Sequence, residues 1–229
     1  MQKMLDSKII IALDYSEKSQ VKELCAKLDN KKCKLKIGKQ IFTKYGPSII
    51  EEVQSLGFGV FLDLKFHDIP ETVYKACIEA FKLGVWMLNV HALGGAKMME
   101  SAVKARNEVN VDAKLIAVTL LTSLDRLEIS QDLTDNRINV VKSLAAQAYS
   151  CKLDGIVCSP ADIRNIDNDD TDFLYVTPGI RLETSRDDHH EVFTPKTAID
   201  LGSSYFVIGR PITQAKDPMA VINKILSSI

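Results

Sequence analysis

The sequence predicts a (β/α)8 TIM barrel built by one domain spanning residues 1–229. Three observations carry that expectation. Short runs rich in Val, Ile, Leu or Phe recur along the chain, most of them apolar on both faces, as parallel strands covered on both sides must be. Segments of helical spacing separate them, giving βα units with right-handed crossovers. Eight such units in 229 residues favour closure into a barrel over an open doubly wound sheet.

Taken in order, the first run is KIIIALD (8–14) and the second CKLKIG (33–38). PSIIEEVQSLG follows, with Ile49, Val53 and Leu56 on one helical face and Gly57 as the stop. After the third run, GVFLDLK (59–65), PETVYKACIEAFKLG aligns Val73, Cys77 and Phe81 ahead of Gly84. WMLNVHA (86–92) and KLIAVTLLT (114–122) are the fourth and fifth runs. RINVVKSLAAQAYS then repeats the helical stripe with Val140, Val141, Leu144, Ala145 and Ala148. GIVCS (155–159), FLYVTPG (173–179) and YFVIGR (205–210) complete the eight.

Composition narrows what such a barrel does. With 46% hydrophobic residues the chain can bury a full core. Lys and Arg total 29 against 30 Asp and Glu, so nothing points to nucleic acid or a membrane surface. A small anionic substrate stays compatible, because a handful of local cations can hold one. MQKMLDSKIIIALD has no small-residue cleavage signature of a signal peptide, and no apolar stretch approaches membrane-spanning length. Cys25, Cys33, Cys77, Cys151 and Cys158 are odd in number and form no C-x-x-C pair. They read as buried free thiols in a reducing cytoplasm.

Functional groups of a barrel sit at the carboxyl ends of its strands. Asp14, Lys36, Asp63, Lys65, His91, Thr122–Ser123, Arg181 and Arg210 all gather there. The most unusual stretch is FLDLKFHDIPETV (61–73), which sets Asp63 and Lys65 inside an apolar run, with Asp68 three residues on. Buried charges are costly unless paired. Strand alternation puts Asp63 and Lys65 on one face and Leu62 and Leu64 on the other. One reading is a structural ion pair plugging the barrel, with Asp68 capping a helix that starts near Pro70. The other is a dry site whose carboxylates keep a lysine protonated, ready to hand a proton to a carbon that has just become negative. Lys36, ending an adjacent strand, would then balance the second aspartate.

DLKFHDIP, with KLKIG upstream and VIGRPIT near the carboxyl end, resembles the orotidine 5′-phosphate decarboxylases. IIIALD, VTLLTS and VTPGIR match in that family's order, so the resemblance covers essentially the whole chain. D-x-K-x-x-D alone is shared with 3-keto-L-gulonate 6-phosphate decarboxylase, a Mg²⁺-using relative that carries an acidic residue where this chain has Lys36. The resemblance implies decarboxylation of orotidine 5′-monophosphate (OMP) to UMP, the last step of de novo pyrimidine nucleotide synthesis, without metal or organic cofactor. It implies a charge array of Lys36, Asp63, Lys65 and Asp68, with Lys65 as proton donor. Asp68 and Thr72 would cross the interface of a homodimer. Asp14 and Lys36 would contact the ribose hydroxyls, and Thr72, Thr122 and Ser123 would help bind the nucleotide. Arg181, Gly209 and Arg210 would hold the phosphate, where barrels commonly bind it.

The segment GIRLETSRDDHHEVFTP departs from the family pattern. That pattern has Pro after G-I-R and a D-Q dipeptide whose glutamine reaches the phosphate. Here Leu182 follows Arg181, Asp188–His189 stands for D-Q, and the loop is a residue shorter. His189 can still donate an N–H, with a charge when protonated. Read instead as a metal cluster, Asp187 to Glu191 would need five consecutive residues to converge on one ion, and no H-E-x-x-H spacing exists. A solvated loop fits better. His67 and His91 read as satisfied barrel residues, and the glycine pair of HALGGAK (91–97) as a tight turn or a phosphate cradle. Neither G-x-G-x-x-G nor a Walker A sequence is present. A Schiff-base aldolase on the same barrel would need a neutral Lys36 or Lys65, against the neighbouring aspartates. A non-catalytic phosphoribosyl-binding protein would have no evident need for the array.

Overall fold

The computed structural model describes residues 7–121, 136–182 and 192–229. Strands β1 (Ile9–Ala12), β2 (Lys34–Gly38), β3 (Val60–Phe66) and β4 (Met87–His91) are followed by β5 (Lys114–Val118), β6 (Gly155–Val157), β7 (Leu174–Thr177) and β8 (Tyr205–Ile208). They close into a barrel in sequence order, β8 returning to β1, and every pairing is parallel. Each run expected to be a strand contains one.

The strands are apolar on both faces because the two faces meet different cores. Ile10, Ala12, Phe61, Met87, Ile116, Val176 and Val207 fill the barrel interior. Ile9, Ile11, Leu35, Ile37 and Leu62 pack outward against the helices. At the amino end the ammonium of Lys34 lies 4.6 Å from the centroid of the Trp86 ring and 5.3 Å from that of Tyr205. These cation–π contacts close the barrel floor and leave the opposite mouth for polar side chains.

The helix Pro70–Lys82 buries Val73, Cys77, Ala80 and Phe81, a stripe of helical spacing, and has proline in its first turn. Its N-cap is Ile69, with no side-chain cap. Asp68, expected as the cap, instead accepts the N–H of Ile69 at 2.6 Å. The helix Arg137–Ser150 buries Val141, Ala145 and Ala148. The helix Ser48–Ser55 buries Ile49, Ile50 and Val53 but stops short of Leu56, which is 45% exposed. Gly57 explains the stop. Its φ is +84°, and a side chain there would collide with the Asn30 amide, which donates to the Leu56 carbonyl at 2.9 Å.

One irregularity shapes the mouth. Leu62 pairs with Leu88, and the next matched pair is Phe66 with Val90. Three residues of β3 therefore stand opposite Asn89 alone. Within this bulge Lys65 takes a φ of +52°, a left-handed conformation uncommon outside glycine. Bulges of this kind re-aim side chains next to active sites.

Candidate active site

Asp63 is the hub of the mouth. Its side chain is only 12% exposed, and each carboxylate oxygen is occupied. Oδ1 accepts from Lys65 Nζ at 2.5 Å and from Asn89 Nδ2 at 2.7 Å. Oδ2 lies 3.2 Å from Lys36 Nζ, which also reaches Asp14 Oδ1 at 3.7 Å. Burial, the largest single influence, pushes the Asp63 carboxyl up. The charges of Lys36 and Lys65 and the hydrogen bonds from Lys65 and Asn89 outweigh it and hold the group below the usual aspartate value. Two ammonium groups thus face one buried carboxylate, while Asp14 is 72% exposed at the rim. Such an excess of positive charge suits an anionic ligand.

Neighbouring strands supply these groups. Ala12 of β1 pairs with Lys36 of β2, and Gly38 of β2 with Asp63 of β3. Gly209, just after β8, backs onto the same corner, since a Cβ there would sit 3.7 Å from Asp14 Oδ2. Arg210 begins the short helix Arg210–Thr213 and is exposed at this end of the barrel. Arg181, after β7, is also exposed, and its backbone N–H donates to the Phe193 carbonyl at 3.0 Å.

Asp68 does not join the cluster within one chain. It is exposed, as is Thr72 two residues into the helix Pro70–Lys82, and among the described residues Asp68 forms no ion pair. Thr122, Ser123 and His189 lie outside the described residues, as does the acidic–histidine run 187–191. Among the described residues no group of His, Cys, Asp or Glu is placed to hold a metal ion.

Of the two histidines expected as satisfied barrel residues, His91 is one, ending β4 half-buried with its Nδ1 accepting the Leu93 N–H at 3.4 Å. His67 is exposed rather than inside the barrel, and its ring stacks on His91 with centroids 5.3 Å apart. Burial first, then His67, Lys65 and Lys39, hold His91 below the usual histidine value, which favours its neutral ring. Sequence reasoning missed Asn89. Its one signal was a lone amide in the otherwise apolar run WMLNV.

A closed parallel barrel with paired lysines and aspartates at its strand ends has the layout of a barrel enzyme. The chain matches the sequence profile of the orotidine 5′-phosphate decarboxylase / HUMPS family over residues 7–225 and belongs to that family. A protein named orotidine 5′-phosphate decarboxylase from Nitrosospira multiformis is 46% identical over 229 residues, covering 99% of this chain and 95% of the relative. One of the same name from Nitrosococcus oceani is 47% identical over 232 residues, covering 99% of each. Among solved structures, orotidine 5′-phosphate decarboxylase from Lactobacillus acidophilus superposes with a TM-score of 0.80 at 37% identity, over 97% of this chain and 99% of that one. An uncharacterized conserved protein from Geobacillus kaustophilus gives 0.84 at 33% identity, over 96% and 99%.

Proposed function

We propose that the chain is a carbon–carbon lyase that converts OMP to UMP and CO2 in pyrimidine nucleotide synthesis, with Lys65 as the proton donor. The observation that carries this reading is the unbroken run Lys36–Asp63–Lys65, with contacts of 3.2 and 2.5 Å, in a member of this family. In the Mg²⁺-using relative the position of Lys36 is acidic. Here it is a second ammonium group, which favours the cofactor-free reaction.

The C6–carboxylate bond breaks, CO2 leaves, and the electron pair stays on C6. No ring position nearby delocalises that charge well, so the site must stabilise it electrostatically. Lys65 faces the developing carbanion and transfers an N–H proton to it; solvent then reprotonates the amine. Asp63 lies beside the departing carboxylate and holds Lys65 in place. Asp14 and Lys36 take the ribose hydroxyls. Thr122 and Ser123 help bind the nucleotide, and Arg181, Gly209, Arg210 and His189 take the phosphate.

The working unit is a homodimer in which Asp68 and Thr72 complete the partner's site. The loops after β3 and β4 support this reading. They lie side by side through the His67–His91 stack and leave Ile69 66% and Leu93 52% exposed, apolar surface suited to burial against a second copy. The enzyme works in the cytoplasm, an assignment supported by five buried free thiols. No helix among the described residues is long and apolar enough to cross a membrane.

Purified, EDTA-treated protein mixed with OMP tests the function. Loss of orotate absorbance with formation of UMP supports it. Turnover only after Mg²⁺ is restored, or none at all, refutes it.

A further inference from the structure

We propose that Asn89 is a positioning residue of the decarboxylation, holding both ends of Lys65; this rests on the function proposed above. Asn89 lies on β4, 1% exposed, opposite the bulge in β3. Its amide oxygen accepts the backbone N–H of Lys65 at 2.8 Å, and its amide nitrogen donates to Asp63 Oδ1 at 2.7 Å. These partners fix the amide's orientation, because an N–H needs an acceptor and a carboxylate needs a donor. Asp63 Oδ1 is also the oxygen that receives Lys65 Nζ. One side chain therefore anchors the lysine's backbone and the carboxylate that aims its ammonium.

The bulge makes the anchor necessary. Between Leu62 and Phe66 the register with β4 shifts, and the Asn89 side chain takes the Lys65 N–H that regular pairing would have satisfied. Lys65 is there in a left-handed conformation, φ +52°, which persists only when the surroundings over-determine it. The amide does this without adding charge. The charged and titratable groups around it are Asp63 and Lys65 on β3, Lys36 on β2 through Asp63, and His91 two residues on along β4, which feels the Lys65 charge, while the flanking β5 residues Ile116 and Val118 are apolar. A carboxylate at this position would repel Asp63, and an apolar side chain would leave the Lys65 N–H unpaired.

Asn89→Ala and Asn89→Asp, assayed for OMP turnover and UMP binding beside the wild type, test this. Asn89→Ala should lose about 10²-fold in kcat, the scale of a misplacement of about 1 Å. Its affinity for UMP should stay within about fivefold, because ribose and phosphate contacts are untouched. Asn89→Asp should regain activity as the pH falls from about 8 to about 5.5, when a shared proton lets the new carboxyl imitate the amide; the wild type should lack that limb. A folded Asn89→Ala with near-normal kcat, or with UMP affinity falling in step with kcat, overturns the assignment. Should Asn89→Ala not fold, an Asn89→Asp profile parallel to the wild type's overturns it equally. A wild type without turnover overturns the functional reading, and this inference with it.

Discussion

The role proposed for Lys65 sets two requirements: it must stay a cation at the barrel mouth, and it must remain free to give up a proton. Asp63 meets the first, with a carboxylate held ionised by two lysines against the pull of its own burial. One such pair is not enough for catalysis. At about 4 Å and a realistic effective dielectric it is worth about 4 kcal/mol, whereas enzymatic accelerations require about 8–23 kcal/mol. Distant contacts must share the load, and Arg210 is the residue proposed to do so. Charge-assisted hydrogen bonds contribute about 1.5–3 kcal/mol each. Losing two of them in Arg210→Ala should lower kcat/KM by about 10²–10⁴-fold and leave the melting temperature near the wild type's. Steady-state kinetics and thermal denaturation of the variant check both halves.

At the scale of elements, β3 shows what patterning reveals and what it hides. Asp63 and Lys65 stood out because charges inside an apolar run need a reason, and alternation correctly predicted that they converge. The bulge was illegible, since it arises from how β3 meets β4 and leaves no mark in either run alone. Asn89 was missed for the same cause. Leu56 was expected on a buried face, but the helix ends at Ser55, ahead of the Gly57 turn. The strand also predicts a pH dependence. Asp63 has its carboxyl pKa lowered in the folded chain, so its stabilising contribution is complete above the unfolded value of about 4 and is lost as the pH falls through the lower folded value. Asp63→Asn should therefore be less stable than wild type at neutral pH, with the gap narrowing in acid. Urea midpoints at about pH 7 and about pH 3 measure it; an equal gap at both would contradict the linkage.

For the whole molecule, strand count and spacing were enough to anticipate the closed barrel, because each parallel strand must carry apolar residues on both faces. The cluster Lys36–Asp63–Lys65 was equally legible. Asp68 was not settled by sequence or by one chain, because its proposed partner lies on another copy. Mixing an inactive Lys65 variant with an inactive Asp68 variant addresses this. Shared sites give heterodimers in which one site is intact, restoring up to about a quarter of wild-type activity at statistical exchange. Verified exchange without recovery would show that each chain completes its own site.

Single-turnover decarboxylation of OMP by EDTA-treated wild type and Lys65→Ala tests the central claim most directly. The expected result is metal-free conversion by the wild type and a loss of about a thousandfold or more in the variant, with UMP still bound. Lys65→Ala turning over within tenfold of the wild type would contradict it.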